Sequence, residues 1–306
     1  MNADSEARHD NVIEATGLVK RFGDFEAVRG IDFFVHKGEC VGLLGPNGAG
    51  KTTTMRMIMG LSTVSAGQLT VFGQRAGHLG RELQARVGLV SQEDNLDPDL
   101  SVQANLEVYG RYFGLSRAYI AERVPQLLRF MQLEDRGQSR VMQLSGGMKR
   151  RLVIARALIA DADFVILDEP TTGLDPQARV LIWKQLLDLK KQGKTLLLTT
   201  HYMDEAQRLC DRLVIIDHGQ ILAEGSPQYL IDKHVKGHVF ELQKTAEGAL
   251  DLSRFEHEDI GDSVLIYVHH PDEFTQIAPT EAHYLHRQAN LEDVFLRLTG
   301  RALREN

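Results

Sequence analysis

The octapeptide Gly45-Pro46-Asn47-Gly48-Ala49-Gly50-Lys51-Thr52 constrains this chain more than any other part of its 306 residues. It fits the phosphate-binding pattern G-x-x-x-x-G-K-[ST]. The apolar run Cys40-Val41-Gly42-Leu43-Leu44 before it reads as a buried strand, and a helical run from Lys51 to Met59 follows. Glycines in such a loop let backbone amides turn inward around phosphate oxygens. The helix start adds unpaired N–H groups and about half a positive charge. Lys51 is placed to reach the β- and γ-phosphates of a nucleotide, and the Thr52 hydroxyl to ligate Mg²⁺.

A loop of this kind needs acids at the same sheet edge. Phe164-Val165-Ile166-Leu167-Asp168-Glu169 supplies them: an apolar strand body ending in two carboxylates. Asp168 suits the metal's coordination sphere, and Glu169 can orient and deprotonate an attacking water. Around these runs strands alternate with helices. Short strands are expected at Leu69 to Phe72, Val87 to Val90, Thr195 to Thr200, Leu213 to Asp217 and Ile221 to Glu224. Helices are expected over Val102 to Leu133, Gly147 to Ala160, Ala178 to Gln192 and Met203 to Cys210. In the first of these, Leu106, Tyr109, Tyr112 and Phe113 share helix-face spacing. The alternation predicts an α/β fold with a mostly parallel sheet. Near Asp232 the texture changes. Strands at Val239 to Leu242 and Val264 to Val268, with a helix Asn290 to Thr299 burying Leu291, Val294, Phe295 and Leu298, predict a small α+β appendage.

Charge and hydropathy narrow the function classes. A net charge of -7 does not suggest a nucleic-acid-wrapping protein, which shows a basic face. No apolar run approaches the roughly 20 residues of a spanning helix. Met1 to Asp10 lack the apolar stretch of a signal peptide. Two cysteines, Cys40 and Cys210, stand in no metal-ligand pattern and read as small buried residues.

Leu144-Ser145-Gly146-Gly147 opens a helix, and His201 follows a strand. Phosphate loop, this tetrapeptide, the apolar strand ending in Asp168-Glu169, and then His201 together resemble the nucleotide-binding subunit of ABC transporters, over residues 12 to about 230. The resemblance implies a P-loop NTPase of ABC type, an ATPase coupled to transmembrane transport, with an antiparallel β-subdomain and a helical subdomain at about 93–150. The implied division is a flexible segment 1–11, an ATPase domain 12–235 and an appendage 236–306. The cofactors implied are ATP and Mg²⁺. The resemblance further implies a head-to-tail dimer, in which Ser145, Gly146 and Gly147 of one subunit grip the γ-phosphate held by the other. It assigns Thr53 with Thr52 to the nucleotide, Gln92 to Mg²⁺, water and the sensing of a membrane partner, Asp175 to the inter-subunit loop, His201 to the γ-phosphate and Phe22 to adenine stacking. For Phe22 a place in the core is the competing reading.

Two departures stand out: Met148 where the family usually carries Gln, and Phe22 where it usually carries Tyr. The runs Gln92 to Pro98, Ser145 to Leu152 and Asn290 to Phe295 resemble the exporter branch of nodulation-factor and drug-resistance ATPases, the full chain looking most like the nodulation type. The expected partners are a separately encoded membrane permease, docked on the segment from Gln92 to about Gln132, and a second ATPase subunit. The expected place is the cytoplasmic face of the inner membrane. A soluble ABC ATPase of the translation or DNA-repair kind is the rival reading. Those usually carry two cassettes or a long coiled coil, and this chain shows one cassette and no heptad run. The N-K-x-D motif of a GTPase is missing.

Overall fold

The computed structural model describes residues 11–235, 237–244, 252–278 and 283–300. Almost all of the segment expected to be flexible, 1–11, lies outside them. The chain divides into two compact units, Met1–Glu224 and Gly225–Asn306.

The first unit contains two sheets. β1 (Asn11–Phe22), β2 (Phe25–His36), β4 (Ala66–Val71) and β5 (Gln74–Arg75) form an antiparallel sheet in the order β2-β1-β4-β5. β3 (Cys40–Leu44), β6 (Val87–Val90), β7 (Phe164–Asp168), β8 (Thr195–Thr200), β9 (Arg212–Asp217) and β10 (Gln220–Gly225) form the second, in the order β10-β9-β3-β8-β7-β6. Its pairs β9-β3, β3-β8, β8-β7 and β7-β6 are all parallel. β3, β7 and β8 are buried almost throughout, which is why they read as continuous apolar runs without alternation. β9 and β10 are joined by His218-Gly219, both at positive φ (47° and 76°), as a two-residue hairpin turn requires. Ile13, Leu18, Val35 and Leu69 of the antiparallel sheet share one core with Val41, Leu43, Ile166 and Leu197 of the parallel sheet and with Met55 and Ile58 of the helix Lys51–Ile58.

Register places the chemistry. Leu44 pairs with Thr200, and Asp168 with Thr199, so three neighbouring strands end together. The loops that leave them carry Gly45 to Gly50, Glu169 and His201 from one edge of the sheet.

The helical stretch expected over Val102 to Leu133 is two helices, Val102–Tyr112 and Arg117–Phe130, each capped by a serine hydroxyl (Ser101 and Ser116) that accepts a backbone amide. Tyr112 is not on the buried face with Leu106: it is 83% exposed, because it sits well over a quarter turn round the helix. Its ring stands 6.1 Å from Tyr109 and 5.9 Å from Phe113, as part of an aromatic cluster. Cys40 and Cys210 are both buried, as expected, and fold brings them together with sulfurs 4.0 Å apart, twice a disulfide's bond length. Burial pushes the Cys210 thiol up.

The second unit is a four-stranded antiparallel sheet ordered β12-β13-β11-β14, from β11 (His238–Gln243), β12 (Glu256–Asp259), β13 (Ser263–Val268) and β14 (Tyr284–Gln288). Phe240, Val264, Ile266 and Val268 pack with Phe274 on one face. The last helix, Leu291–Thr299, buries Leu291, Val294 and Phe295; Leu298 is only half-buried, and Asn290 caps the helix from outside it. The helix Pro227–His234 and the strands β12 and β14 were not expected from the sequence.

Candidate functional site

The loop after β3 has the shape its glycines permit. Gly50 holds φ at 107° as the residue before the helix Lys51–Ile58, a conformation L side chains avoid. Gly45 is needed for closeness: a Cβ there would lie 2.1 Å from the Ile216 carbonyl oxygen. Lys51 folds back over the loop, and its buried ammonium donates to the carbonyls of Gly45 (2.7 Å) and Pro46 (3.0 Å). Burial lowers its pKa, against the opposing influence of Glu169 and Asp168. Thr52 is exposed, while the next hydroxyl but one, Thr54, is buried and donates to Gly50 O.

Opposite the loop, the Thr199 hydroxyl donates to Asp168 Oδ1 at 2.6 Å. The Glu169 amide donates to both the carbonyl and the hydroxyl of Thr199, each at 3.1 Å. Glu169 sits at φ 46°, a left-handed conformation costing a non-glycine residue of order 1 kcal/mol, of the kind that collects at functional sites. Its side chain meets His201 Nδ1 at 3.5 Å and accepts from the Thr172 hydroxyl at 3.1 Å. The His201 contact, first among several causes, holds the Glu169 carboxyl below the usual carboxylate range, against desolvation. Four residues past His201, fully buried Glu205 accepts from Thr171 Oγ1 (2.8 Å) and Trp183 Nε1 (2.9 Å), and burial raises its pKa. It ties together the strand end, the helix Pro176–Lys191 and the helix Met203–Leu209.

Lys51, Asp168, Glu169 and His201 are therefore one group. The other sequence-derived positions stand apart from it. Ser145 and Gly146 are exposed, and the Ser145 hydroxyl accepts the Met148 amide at the start of the helix Gly146–Ala157. Asp175 is exposed and caps the helix Pro176–Lys191 by accepting the Ala178 amide at 2.9 Å. Gln92 is exposed just beyond β6. Phe22 is 54% exposed with Lys20 Nζ 4.9 Å from its ring centroid, which removes the core reading and leaves an open aromatic face.

Three residues of this region escaped sequence reasoning. Thr199 is one of two threonines that follow three leucines at the end of a strand, and Glu205 is an acid on the inward face of a short helix. Arg150 is a base on the buried side of the helix Gly146–Ala157. A charge at a position the helical period assigns to the core is the signal that marks the last two.

Asp168 and the Thr52 hydroxyl are hard oxygen donors of the type Mg²⁺ takes. An ammonium held only by loop carbonyls is free to exchange them for phosphate oxygens. The residues present fit a magnesium nucleotide.

Residues 28–172 match the ABC transporter family model, and residues 243–300 match the model for the C-terminal domain of nodulation factor export protein NodI. The chain is 50% identical over 300 residues to the Nod factor export ATP-binding protein I of Cupriavidus pinatubonensis, covering 96% of this chain and 92% of that one. The protein of the same name from Cupriavidus metallidurans is 50% identical over 301 residues, with coverage of 96% and 99%. Among solved structures, the cbiO1 protein of Clostridium perfringens, part of an ABC transporter complex, superposes with a TM-score of 0.68 at 27% identity, covering 73% of this chain and 92% of that one. An ATP-binding cassette solved as a dimer in a post-hydrolysis state with ADP and Pi gives 0.63 at 25% identity, covering 70% and 98%.

Proposed function

Since this chain belongs to the ATP-binding subunits of ABC transporters, it is the ATP-hydrolysing subunit of an export system, and we propose that its cargo is of the nodulation-factor type named for its relatives. The cargo is read by the membrane component, so the names of the relatives are what support that part. The observation that carries the hydrolytic reading is the shared edge of β3, β7 and β8, which holds Lys51, Asp168, Glu169 and His201 as one group.

In the proposed cycle Lys51 releases the Gly45 and Pro46 carbonyls and turns its ammonium to the β- and γ-phosphates. Thr52, Asp168 and Gln92 would hold Mg²⁺, and Thr53 contacts the nucleotide beside Thr52. A bound Mg²⁺ would supply positive charge against the phosphate oxygens. Glu169 orients the attacking water and takes its proton, and His201 faces the transferred phosphoryl group. The backbone from Gly45 to Gly50 surrounds the phosphates, the amides of Asn47, Gly48, Ala49 and Gly50 donating while Pro46 supplies only the turn, and Phe22 stacks on adenine. The exposed Ser145 and Gly146, with the Gly147 amide behind them, reach the γ-phosphate of a second, identical chain packed head to tail, with Asp175 at the same junction. The neighbour solved as a dimer with ADP and Pi supports the pairing of two such chains.

No helix among the described residues is long and apolar enough to cross a membrane. The subunit works with a separate membrane component. We place that contact on the segment from Gln92 to Gln132, where Val108, Tyr112 and Tyr119 are exposed, and on the cytoplasmic face of the inner membrane. Cysteine crosslinking from Tyr112 to a co-expressed permease is expected to join the two; crosslinks that map only elsewhere would remove this face. The ATP site is tested by Lys51→Ala, which should weaken binding of a fluorescent ATP analogue and stop hydrolysis.

A further inference from the structure

Arg150 makes more side-chain hydrogen bonds than the mechanism above gives it reason to. It lies in the helix Gly146–Ala157, one turn after Gly146, and is buried. Among the described residues its guanidinium forms no close ion pair with a carboxylate, and its hydrogen bonds go to backbone carbonyls. Nε donates to Pro170 O at 2.7 Å, and Nη2 to Asp168 O at 2.8 Å and Glu169 O at 3.1 Å. Nη1 donates to Ser91 O and, at 3.5 Å, to Gln92 O. A guanidinium carries five N–H donors in a rigid plane, and here all of them face inward on two loop segments.

The three carbonyls on the catalytic side are consecutive. Asp168 O belongs to the peptide before Glu169, and Glu169 O to the peptide after it. Fixing both planes fixes the φ and ψ of Glu169, which the chain otherwise resists at φ 46°. The Glu169 amide is held from the other side by Thr199. On the opposite side of the guanidinium are the carbonyls of Ser91 and Gln92, the segment leaving β6.

We propose that Arg150 is a positioning residue for hydrolysis: one side chain sets the backbone at Glu169 and locks it to the backbone at Gln92 and to the helix that begins after Ser145. A displacement of the Gln92 segment is then transmitted to the catalytic carboxylate through a single planar group. This inference rests on the assignment of Glu169 as base.

The same helix supplies a comparison. Arg151 donates to the carbonyls of Met131 (2.7 Å) and Gln132 (3.0 Å), which anchors the helix without touching either loop. The test measures ATP turnover of the full chain carrying Arg150→Lys, Arg150→Gln or Arg151→Gln, together with melting temperature and analogue binding. For both Arg150 variants kcat is expected to fall at least about tenfold with KM and analogue affinity within about threefold, since the Lys51 cradle is untouched. Lysine should not rescue, because a point charge cannot span both segments. Arg151→Gln should lower the melting temperature and keep kcat. Equal kcat losses in all three, or Arg150 variants within about twofold of the parent, would overturn the proposal.

Should the Arg150 variants not fold, hydrogen exchange on the unaltered chain decides. Addition of ATP should protect the amides of residues 91–92 and 168–169 in step, and independent changes refute the link. Glu169→Gln separates the two layers: turnover surviving in that variant removes the base, whereas turnover lost there and kept without Arg150 removes only the clamp.

Discussion

At the scale of single residues, Glu169 is where strain, charge and register meet. Its amide is tied to Thr199, its carboxyl to His201 and Thr172, and its φ is left-handed. With the carboxyl held below its ordinary value near 4.5, it stays ionised at neutral pH, and protonation of this group sets no activity limb there. The linkage sign follows. A depressed carboxylate contributes stability above its unfolded pKa and loses it as pH falls through the folded one. Melting temperatures taken below pH 4.5 should therefore drop less in Glu169→Gln than in the parent. The same variant should bind ATP, fail to turn it over, and elute as a dimer with ATP on size-exclusion chromatography. The chemistry of this site was legible because phosphate loops and Asp-Glu strand ends are contiguous in sequence. Thr199, Glu205 and Arg150 were not, because their partners lie 31, 34 and 59 residues away and only folding brings them near.

At the scale of elements, buried strands announced themselves by composition and amphipathic helices by period. β3, β7 and β8 fell where continuous apolar runs placed them. β12 and β14 were missed, since Glu256–Asp259 and Tyr284–Gln288 are mostly polar and stand at sheet edges, where one side needs no apolar cover. The helix split at Gly114 was missed because apolar residues continue on both sides of it. The last helix shows another limit. Asp293 falls on its inward face, almost fully buried, where apolar periodicity expects no acid. It is matched by a bidentate Arg287, Nη1 to Oδ2 at 2.6 Å and Nη2 to Oδ1 at 2.7 Å, and it accepts the Asn290 amide at 2.9 Å. One carboxylate thus caps the helix and anchors β14. Asp293→Ala removes the return half of the capping box and leaves Arg287 without its carboxylate at a part-buried site, an expected loss of about 3 kcal/mol. Chemical denaturation followed in the Gly225–Asn306 unit should show that shift in midpoint, and Asp293→Asn should recover the cap but not the ion pair.

At the scale of the whole molecule, the half-sites are unequal in what they bind within one chain. Lys51, Asp168, Glu169 and His201 are gathered on one edge, whereas Ser145 and Gly146 face solvent at the start of a well-capped helix. A helix N-terminus exposed at Ser145 and Gly146 is suited to an anion, and in the proposed site the phosphate loop would supply the anion's other side. If the second side comes from another copy, defects in the two halves must complement. Lys51→Ala spoils only the site built on its own phosphate loop. Ser145→Arg spoils only the site on its partner's loop. Each variant alone places one defect in every site of its dimer and should be inactive. Mixed, the two chains form dimers in which both defects fall in one site and the other site is intact. ATP turnover should therefore reappear on mixing and rise with total chain concentration at a fixed ratio. Were both halves supplied by one chain, every site in the mixture would still carry a defect, and the assay would stay silent.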